Sequence, residues 1–317
     1  MQILKQNFEV EVWPNYAPPA RPALIEKLKT VDAVVSLLSD KIDAEVLSAA
    51  PFLKIISQLA VGFDNIDVKT ATERGIYVTN TPEVLTEASA DFAFAMLMAV
   101  ARRIVKADKY VRTGQWKVAW HPSMMLGHDI FGAVIGIIGA GRIGQAVARR
   151  ARGFNMKVLY FSGSPKPEFE RECDATRVDL ETLLKTSDFV SLHVPLTDQT
   201  RMLINAERLA LMKSTAYLIN NSRGPVVDEN ALYEALKNSR IAGAAMDVFA
   251  SEPTSPTNPI LELDNVVVAP HISSASYATR EKMSEMVAEN IIDFFSGKEP
   301  SDLVNHGVMT INPIKHT

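Results

Sequence analysis

Between residues 134 and 150 the chain runs from an apolar stretch, Val134-Ile135-Gly136-Ile137-Ile138, through Gly139-Ala140-Gly141-Arg142-Ile143-Gly144, into Gln145-Ala146-Val147-Ala148-Arg149-Arg150. No other feature constrains the fold as tightly. The β-branched run suits a buried strand, and the Ala- and Arg-rich run suits a helix. Three glycines at this spacing permit a tight turn, a close backbone approach to a phosphate, and close helix–strand packing. The positive end of the helix then faces an anion. The expectation is a βαβ unit that binds a dinucleotide.

The rest of the chain alternates in the same way. Val31–Leu38, Leu53–Leu59 and Ile76–Val78 read as strands, with a short helix over Asp43–Ala49. Thr86–Arg103, rich in Ala and Met and free of Gly and Pro, reads as a helix apolar around most of its circumference. A second series follows the glycine loop. It has strands at Ala133–Ile138, Lys157–Phe161, Phe189–Val194, Ala216–Asn220, Gly243–Asp247 and Val266–Ala269, with helices at Arg142–Gly153 and Leu180–Thr186. Arg280–Phe295 reads as a long closing helix. Two such series predict an α/β chain of two doubly wound parallel-sheet domains. One would comprise residues 1–97 with 285–317 returning to it, and the other residues 98–284.

Composition excludes several classes. Lys and Arg number 33 against 37 Asp and Glu, a net charge of -4, which argues against a nucleic-acid partner. The most apolar stretches, Phe92–Ala101 and Ala133–Ala140, are too short to span a bilayer, and no signal core follows Met1. One cysteine, Cys173, allows no intrachain disulfide and suits a reducing, cytoplasmic setting. The histidines lack ligand spacing, so no metal site is expected.

The second strand of the glycine-loop unit bears on which dinucleotide is bound. NAD sites usually place an acid there for the ribose 2′-hydroxyl. The segment Ser162-Gly163-Ser164-Pro165-Lys166 has none before Glu168, and Ser162, Ser164 and Lys166 offer donors and a positive charge. This favours NADP(H), with NAD(H) the alternative. Gly139, Ala140, Gly141, Arg142, Ile143, Gly144 and Gly163 complete the loops expected to touch it.

Three further segments follow predicted strands: Asn220-Asn221-Ser222-Arg223-Gly224-Pro225, Asp247-Val248-Phe249-Ala250-Ser251-Glu252-Pro253, and Pro270-His271-Ile272-Ser273-Ser274-Ala275. Ligands gather beyond strand ends in open α/β sheets. With Val61-Gly62-Phe63-Asp64-Asn65-Ile66-Asp67, Gly75–Pro82 and Ser191–Thr197, these segments make the chain resemble the D-isomer-specific 2-hydroxyacid dehydrogenase family. Within that family the likeness is to glyoxylate/hydroxypyruvate reductases, and it runs over nearly the whole chain.

That resemblance implies NAD(P)H-dependent reduction of a small 2-oxo acid to the D-2-hydroxy acid. Arg223 would bind the substrate carboxylate, His271 would give the proton, and Glu252 would hydrogen-bond His271 and favour its imidazolium. Val61, Gly62 and Ser274 would touch the substrate. Asp247 would receive the nicotinamide amide, with Thr86, Pro195, Asn221, Ser222, Ile272 and Ser273 lining the cofactor. A homodimer is implied, with Phe92–Ala101 and Trp116–Met125 as contact candidates. The family begins with a strand ahead of its first helix, whereas Met1–Asn7 already resembles the end of that helix. The flavodoxin-like substrate domain is therefore expected to lack its first strand. The alternatives are 2-ketogluconate reductase or another D-2-hydroxyacid dehydrogenase and, from another class, a dinucleotide-sensing corepressor-like binding protein.

Overall fold

The computed structural model describes residues 2–314. The chain divides into two compact units, one formed by residues up to 85 with those from 275 onward, the other by residues 86–274. The first unit opens with α1 (Gln2–Lys5), α2 (Arg21–Leu28), β1 (Ala33–Ser36), α3 (Ala44–Ser48), β2 (Ile55–Gln58), α4 (Val68–Glu73) and β3 (Tyr77–Thr79). The second runs through α5 (Thr86–Ala101), α6 (Ile104–Arg112), β4 (Val134–Ile138), α7 (Arg142–Arg152), β5 (Lys157–Phe161), α8 (Pro167–Cys173) and β6 (Ala175–Arg177). It continues with α9 (Leu180–Thr186), β7 (Phe189–Leu192), α10 (Ala206–Leu211), β8 (Tyr217–Asn220), α11 (Glu229–Lys237), β9 (Gly243–Met246) and β10 (Val266–Val268). The chain returns to the first unit as α12 (Tyr277–Phe295) and α13 (Val308–Ile311).

In the first unit β1, β2 and β3 pair in that order, all parallel. Neighbouring residues of a strand face opposite ways, so each strand feeds two cores. Ile56 and Val78 join Leu28, Ile42, Val46 and Leu47 on one face, while Ile55 and Tyr77 join Ala288, Ile291 and Leu303 on the other. The free edge of β3 is covered by the returning chain. Val304 N donates to Val78 O (2.8 Å), and the Asn305 side chain accepts from Val78 N and donates to Ile76 O. Phe8–Trp13 lies outside this sheet.

The second unit holds a seven-stranded sheet, β10-β9-β8-β7-β4-β5-β6, parallel throughout. From β4 the chain steps outward through β5 and β6, then crosses back to β7 on the other side. The C-terminal ends of β4 and β7 therefore flank the point where strand order reverses, the usual ligand position in such sheets. Small side chains let α5 and α7 pack closely, with Ala90, Ala93 and Ala101 in one core with Ala146, Ala148 and Ala151.

The boundaries differ from those read off the sequence. A cut at 97/98 would fall inside α5, yet all of α5 belongs with the second unit, where it packs on α7, β8 and β9. A cut at 284/285 would split α12, which starts behind the Ser276 cap and packs on β2 of the first unit. Helices are broken at their caps, because an interior break would leave backbone groups unpaired.

Candidate active site

The glycine loop has the geometry its sequence implies. Gly139 ends β4 with φ +99°, in the left-handed region that favours glycine, and a Cβ there would lie 2.5 Å from His193 O at the end of β7. A Cβ on Gly144 would lie 2.1 Å from Gly139 O. Gly141 differs, because a Cβ there would meet nothing within 4 Å. It stands at the N-cap of α7 without a side-chain cap, so the helix end opens on clear space. Two glycines thus fold the loop, and the third leaves room for an anion at the helix terminus. This fits a dinucleotide pyrophosphate. Ala140 is buried, with its carbonyl accepting from Gln145 Nε2.

Beyond β5, the loop from Ser162 to Lys166 is pinned from two sides. Lys166 N donates to the Tyr160 hydroxyl (2.9 Å), which itself donates to Glu170. Arg177 at the end of β6 donates from Nη2 to Ser162 O (3.0 Å). Gly163 and Ser164 are exposed.

The ends of β8 and β9, with the loop after β10, carry the other polar groups. His271 Nδ1 lies 2.6 Å from Glu252 Oε2. A charged carboxylate can only accept, so Nδ1 is the donor and Nε2 is left for other partners. Burial works against the Glu252 charge, but the hydrogen bond and charge of His271, the Phe249 amide and nearby Arg223 outweigh it and hold this carboxyl below its ordinary range. His271 has φ +55°, which a side chain with a Cβ rarely adopts. The clamp is Asp247, which is 1% exposed. Its carboxylate accepts from Ile272 N and Ser273 N at 2.8 Å each, and its carbonyl accepts from His271 N at 2.8 Å. Burial raises the Asp247 carboxyl, and the two amides and the His271 charge only partly offset that.

Arg223 is half-buried, with Nη1 donating to Ser222 O (2.8 Å). Asn220 shapes its turn. Its Oδ1 accepts from Ser222 N and Oγ, and its Nδ2 donates to Arg223 O. Asn221 Nδ2 reaches Ser89 O on α5, while its buried Oδ1 has no partner among the described residues, an acceptor suited to a ligand donor.

The second unit therefore holds Arg223, Glu252, His271, Asp247, the glycine loop, the Ser162–Lys166 loop, Thr86, Pro195 and Ser274. Val61 and Gly62 belong to the first unit, where Asn80 Nδ2 donates to Val61 O (2.8 Å) and Gln58 Nε2 to Gly62 O (3.2 Å). Both carbonyls are turned to side chains of the unit. The sequence alone assigns no role to Asn220, Gln58, Asn80 or Glu229, whose Oε2 accepts from Ala250 N (2.8 Å). Asn220 is the one with a usable signal, since an Asn that closes an apolar strand is a turn former.

A glycine loop open to an anion on a doubly wound sheet, with Arg223, Glu252 and His271 at strand ends of the same sheet, is the arrangement of a dinucleotide-binding protein. Residues 94–273 match the family of D-isomer specific 2-hydroxyacid dehydrogenases through its NAD binding domain. The chain is 59% identical over 310 residues to a glyoxylate reductase of Korarchaeum cryptofilum, covering 98% of this chain and 93% of that one. Its fold is similar to a protein of Thermus thermophilus with TM-score 0.90 and 45% identity, covering 96% and 95% of the two chains. It is also similar to an NADPH-dependent glyoxylate/hydroxypyruvate reductase of Sinorhizobium meliloti solved with NADP and malonate, with TM-score 0.82 and 34% identity over 92% and 88%. The chain belongs to the D-isomer-specific 2-hydroxyacid dehydrogenase family, and it is a dehydrogenase that uses a nicotinamide cofactor. Among the described residues, no helix is long and apolar enough to cross a membrane.

Proposed function

We propose that this enzyme reduces glyoxylate to glycolate, and hydroxypyruvate with it to the D-2-hydroxy acid, with NADP(H) preferred over NAD(H). The observation that carries the reading is the His271–Glu252 pair, 2.6 Å apart and held by the Asp247 clamp next to the Arg223 turn. The names of relatives at this level of identity support glyoxylate as substrate.

When bound, the nicotinamide supplies the hydride. Gly139, Gly141 and the N-terminus of α7 would hold the pyrophosphate, with Thr86, Pro195, Asn221, Ile272 and Ser273 along the cofactor. Arg223 would bind the substrate carboxylate through its planar fork and so orient the adjacent carbonyl. His271 would release the Nε2 proton to the carbonyl oxygen as charge develops there, while Glu252 keeps Nδ1 hydrogen-bonded and stabilises the positive ring. In the reverse direction the same nitrogen takes the proton. Ser274 is proposed to lie beside the substrate.

A homodimer and a cytoplasmic setting belong to the same reading. Of the two segments considered for the contact, Phe92–Ala101 spends Phe94, Leu97 and Val100 in its own core, whereas Trp116, Val118 and Trp120 stand out at 53%, 54% and 75% exposure. The second segment is the proposed contact, because its large apolar side chains are left exposed to water while those of the first are already buried.

The test is a spectrophotometric panel of NADPH and NADH with glyoxylate, hydroxypyruvate, pyruvate and 2-ketogluconate. Glyoxylate with NADPH should give the highest kcat/KM. His271→Ala should lose at least about 10²-fold in kcat and still bind cofactor. Normal turnover in that variant would remove His271 as the acid, and a preference for 2-ketogluconate would replace the substrate.

A further inference from the structure

We propose that Arg177 is the residue that selects the cofactor, its guanidinium taking the 2′-phosphate of NADP(H) with Ser162, Ser164 and Lys166. This rests on the NADP(H) reading and deepens it. The missing acid after β5 removes a repulsion, but it supplies no attraction for a phosphate dianion. Ser162 and Ser164 are neutral, and Lys166 offers a single ammonium on a flexible stem. A planar cation able to grip a phosphate with two parallel donors must come from elsewhere in the fold.

The neighbouring strand provides it. β6 pairs with β5 so that Arg177 lies opposite Tyr160, at the same C-terminal edge as the loop. Its Nη2 donates to Ser162 O at 3.0 Å, which fixes the guanidinium against the loop. That bond uses one of five N–H donors in a planar fork whose shape matches phosphate. Arg177 is exposed, and among the described residues no carboxylate lies within ion-pair distance of it. Glu170 is engaged by the Tyr160 hydroxyl. Beside this cation, Gly163 leaves open space, since a Cβ there would meet nothing within 4 Å. A guanidinium, two hydroxyl-bearing residues, a lysine and an unfilled volume thus meet at the edge where this fold places the adenosine ribose.

The experiment is calorimetric titration of the wild-type enzyme, Arg177→Ala and Gly163→Asp with adenosine 2′,5′-bisphosphate, 5′-AMP, NADPH and NADH. The wild type should bind the bisphosphate at least tenfold more tightly than 5′-AMP, and added salt should erode that ratio. Arg177→Ala should weaken the bisphosphate and NADPH tenfold or more and change 5′-AMP and NADH less than twofold. Gly163→Asp, whose carboxylate has room to stand in the open volume, should abolish the same discrimination by repulsion. If the wild type discriminates and Arg177→Ala leaves its ratios intact, or weakens all four ligands alike, the selector role is overturned while the NADP(H) preference stands. A wild type indifferent to the 2′-phosphate overturns the preference itself, and the proposal with it.

Discussion

Gly224 is the point at which two loops of the candidate site touch. It follows Arg223, and a Cβ there would lie 1.8 Å from Phe249 O, 1.9 Å from Phe249 C and 2.6 Å from Ala250 N. All three are backbone atoms on the segment that leads to Glu252. That segment cannot swing aside freely, because Phe249 N is bonded to Glu252 Oε1 (3.0 Å) and Ala250 N to Glu229 Oε2 (2.8 Å). To reach even a tight contact of 3.0 Å, the loops must part by about 1.2 Å. Overpacking of this kind costs about 1–3 kcal/mol. At roughly 2–4 °C per kcal/mol for a domain of this size, Gly224→Ala should lower Tm by about 2–12 °C. The effect on turnover should be larger in proportion. A misplacement of about 1 Å between reacting groups costs on the order of 10²-fold, and here Arg223 moves relative to the His271–Glu252 pair. The assays are thermal unfolding, steady-state kinetics with the oxo acid varied, and NADPH titration. NADPH affinity should change little, because the glycine loop sits at the end of β4. Gly307→Ala is the control, since its Cβ would meet only Thr72 Cγ2 at 3.7 Å. A Gly224→Ala enzyme with unchanged Tm and kcat/KM within threefold of wild type would refute the reasoning that this contact sets the site.

Two further outcomes follow from buried titratable groups. Burial pushes the His193 imidazole down to about 3, so the native ring stays neutral while the unfolded chain takes up a proton below about 6.5. This contribution is complete above pH 6.5 and is lost as pH falls toward 3. Unfolding in urea should show about 2 kcal/mol less stability at pH 5 than at pH 7.5 from this group, and His193→Gln should remove that slope; an unchanged slope counts against the assignment. Asp247→Ala would leave the amides of Ile272 and Ser273 unpaired, at about 1–3 kcal/mol each, and free His271 to leave φ +55°. Thermal unfolding should drop and kcat should fall steeply, so a variant that kept kcat would show that the clamp does not position the histidine.

What was legible in the sequence divides by physical scale. β4, β5 and α7 fall within a residue of the strands and helix expected, because a β-branched run beside a glycine turn leaves few alternatives. α4, α10 and α11 are absent from the alternation of apolar runs. Their signal lies in single side chains, since Asp67, Asn205 and Asp228 each accept the amide three residues on. α6 carries apolar residues at Ile104, Val105 and Val111, but they stay exposed and the helix has no buried residue, so it feeds no core. Long-range bonds are harder still. Nothing local announces that Asp247 holds the backbone of residues 272 and 273, or that Gln58 and Asn80 turn the carbonyls of Gly62 and Val61 inward.

These long-range bonds explain why the triplet can be rigid although its members sit on loops. His271 is held through its amide, through the two amides that follow it, and through Nδ1, all by Asp247 and Glu252 on the segment after β9. Its left-handed backbone is tolerated because the carboxylate that enforces it is buried and satisfied by those same amides. Relaxing the strain would expose the full desolvation cost of Asp247. Arg223 is held by a different device, the Asn220 turn and the Gly224 contact. Arg223 and His271, the proposed anchor and proton donor, therefore rest on separate supports that meet at Phe249 and Glu252, so damage at Gly224 and at Asp247 should combine less than additively once either has displaced the pair.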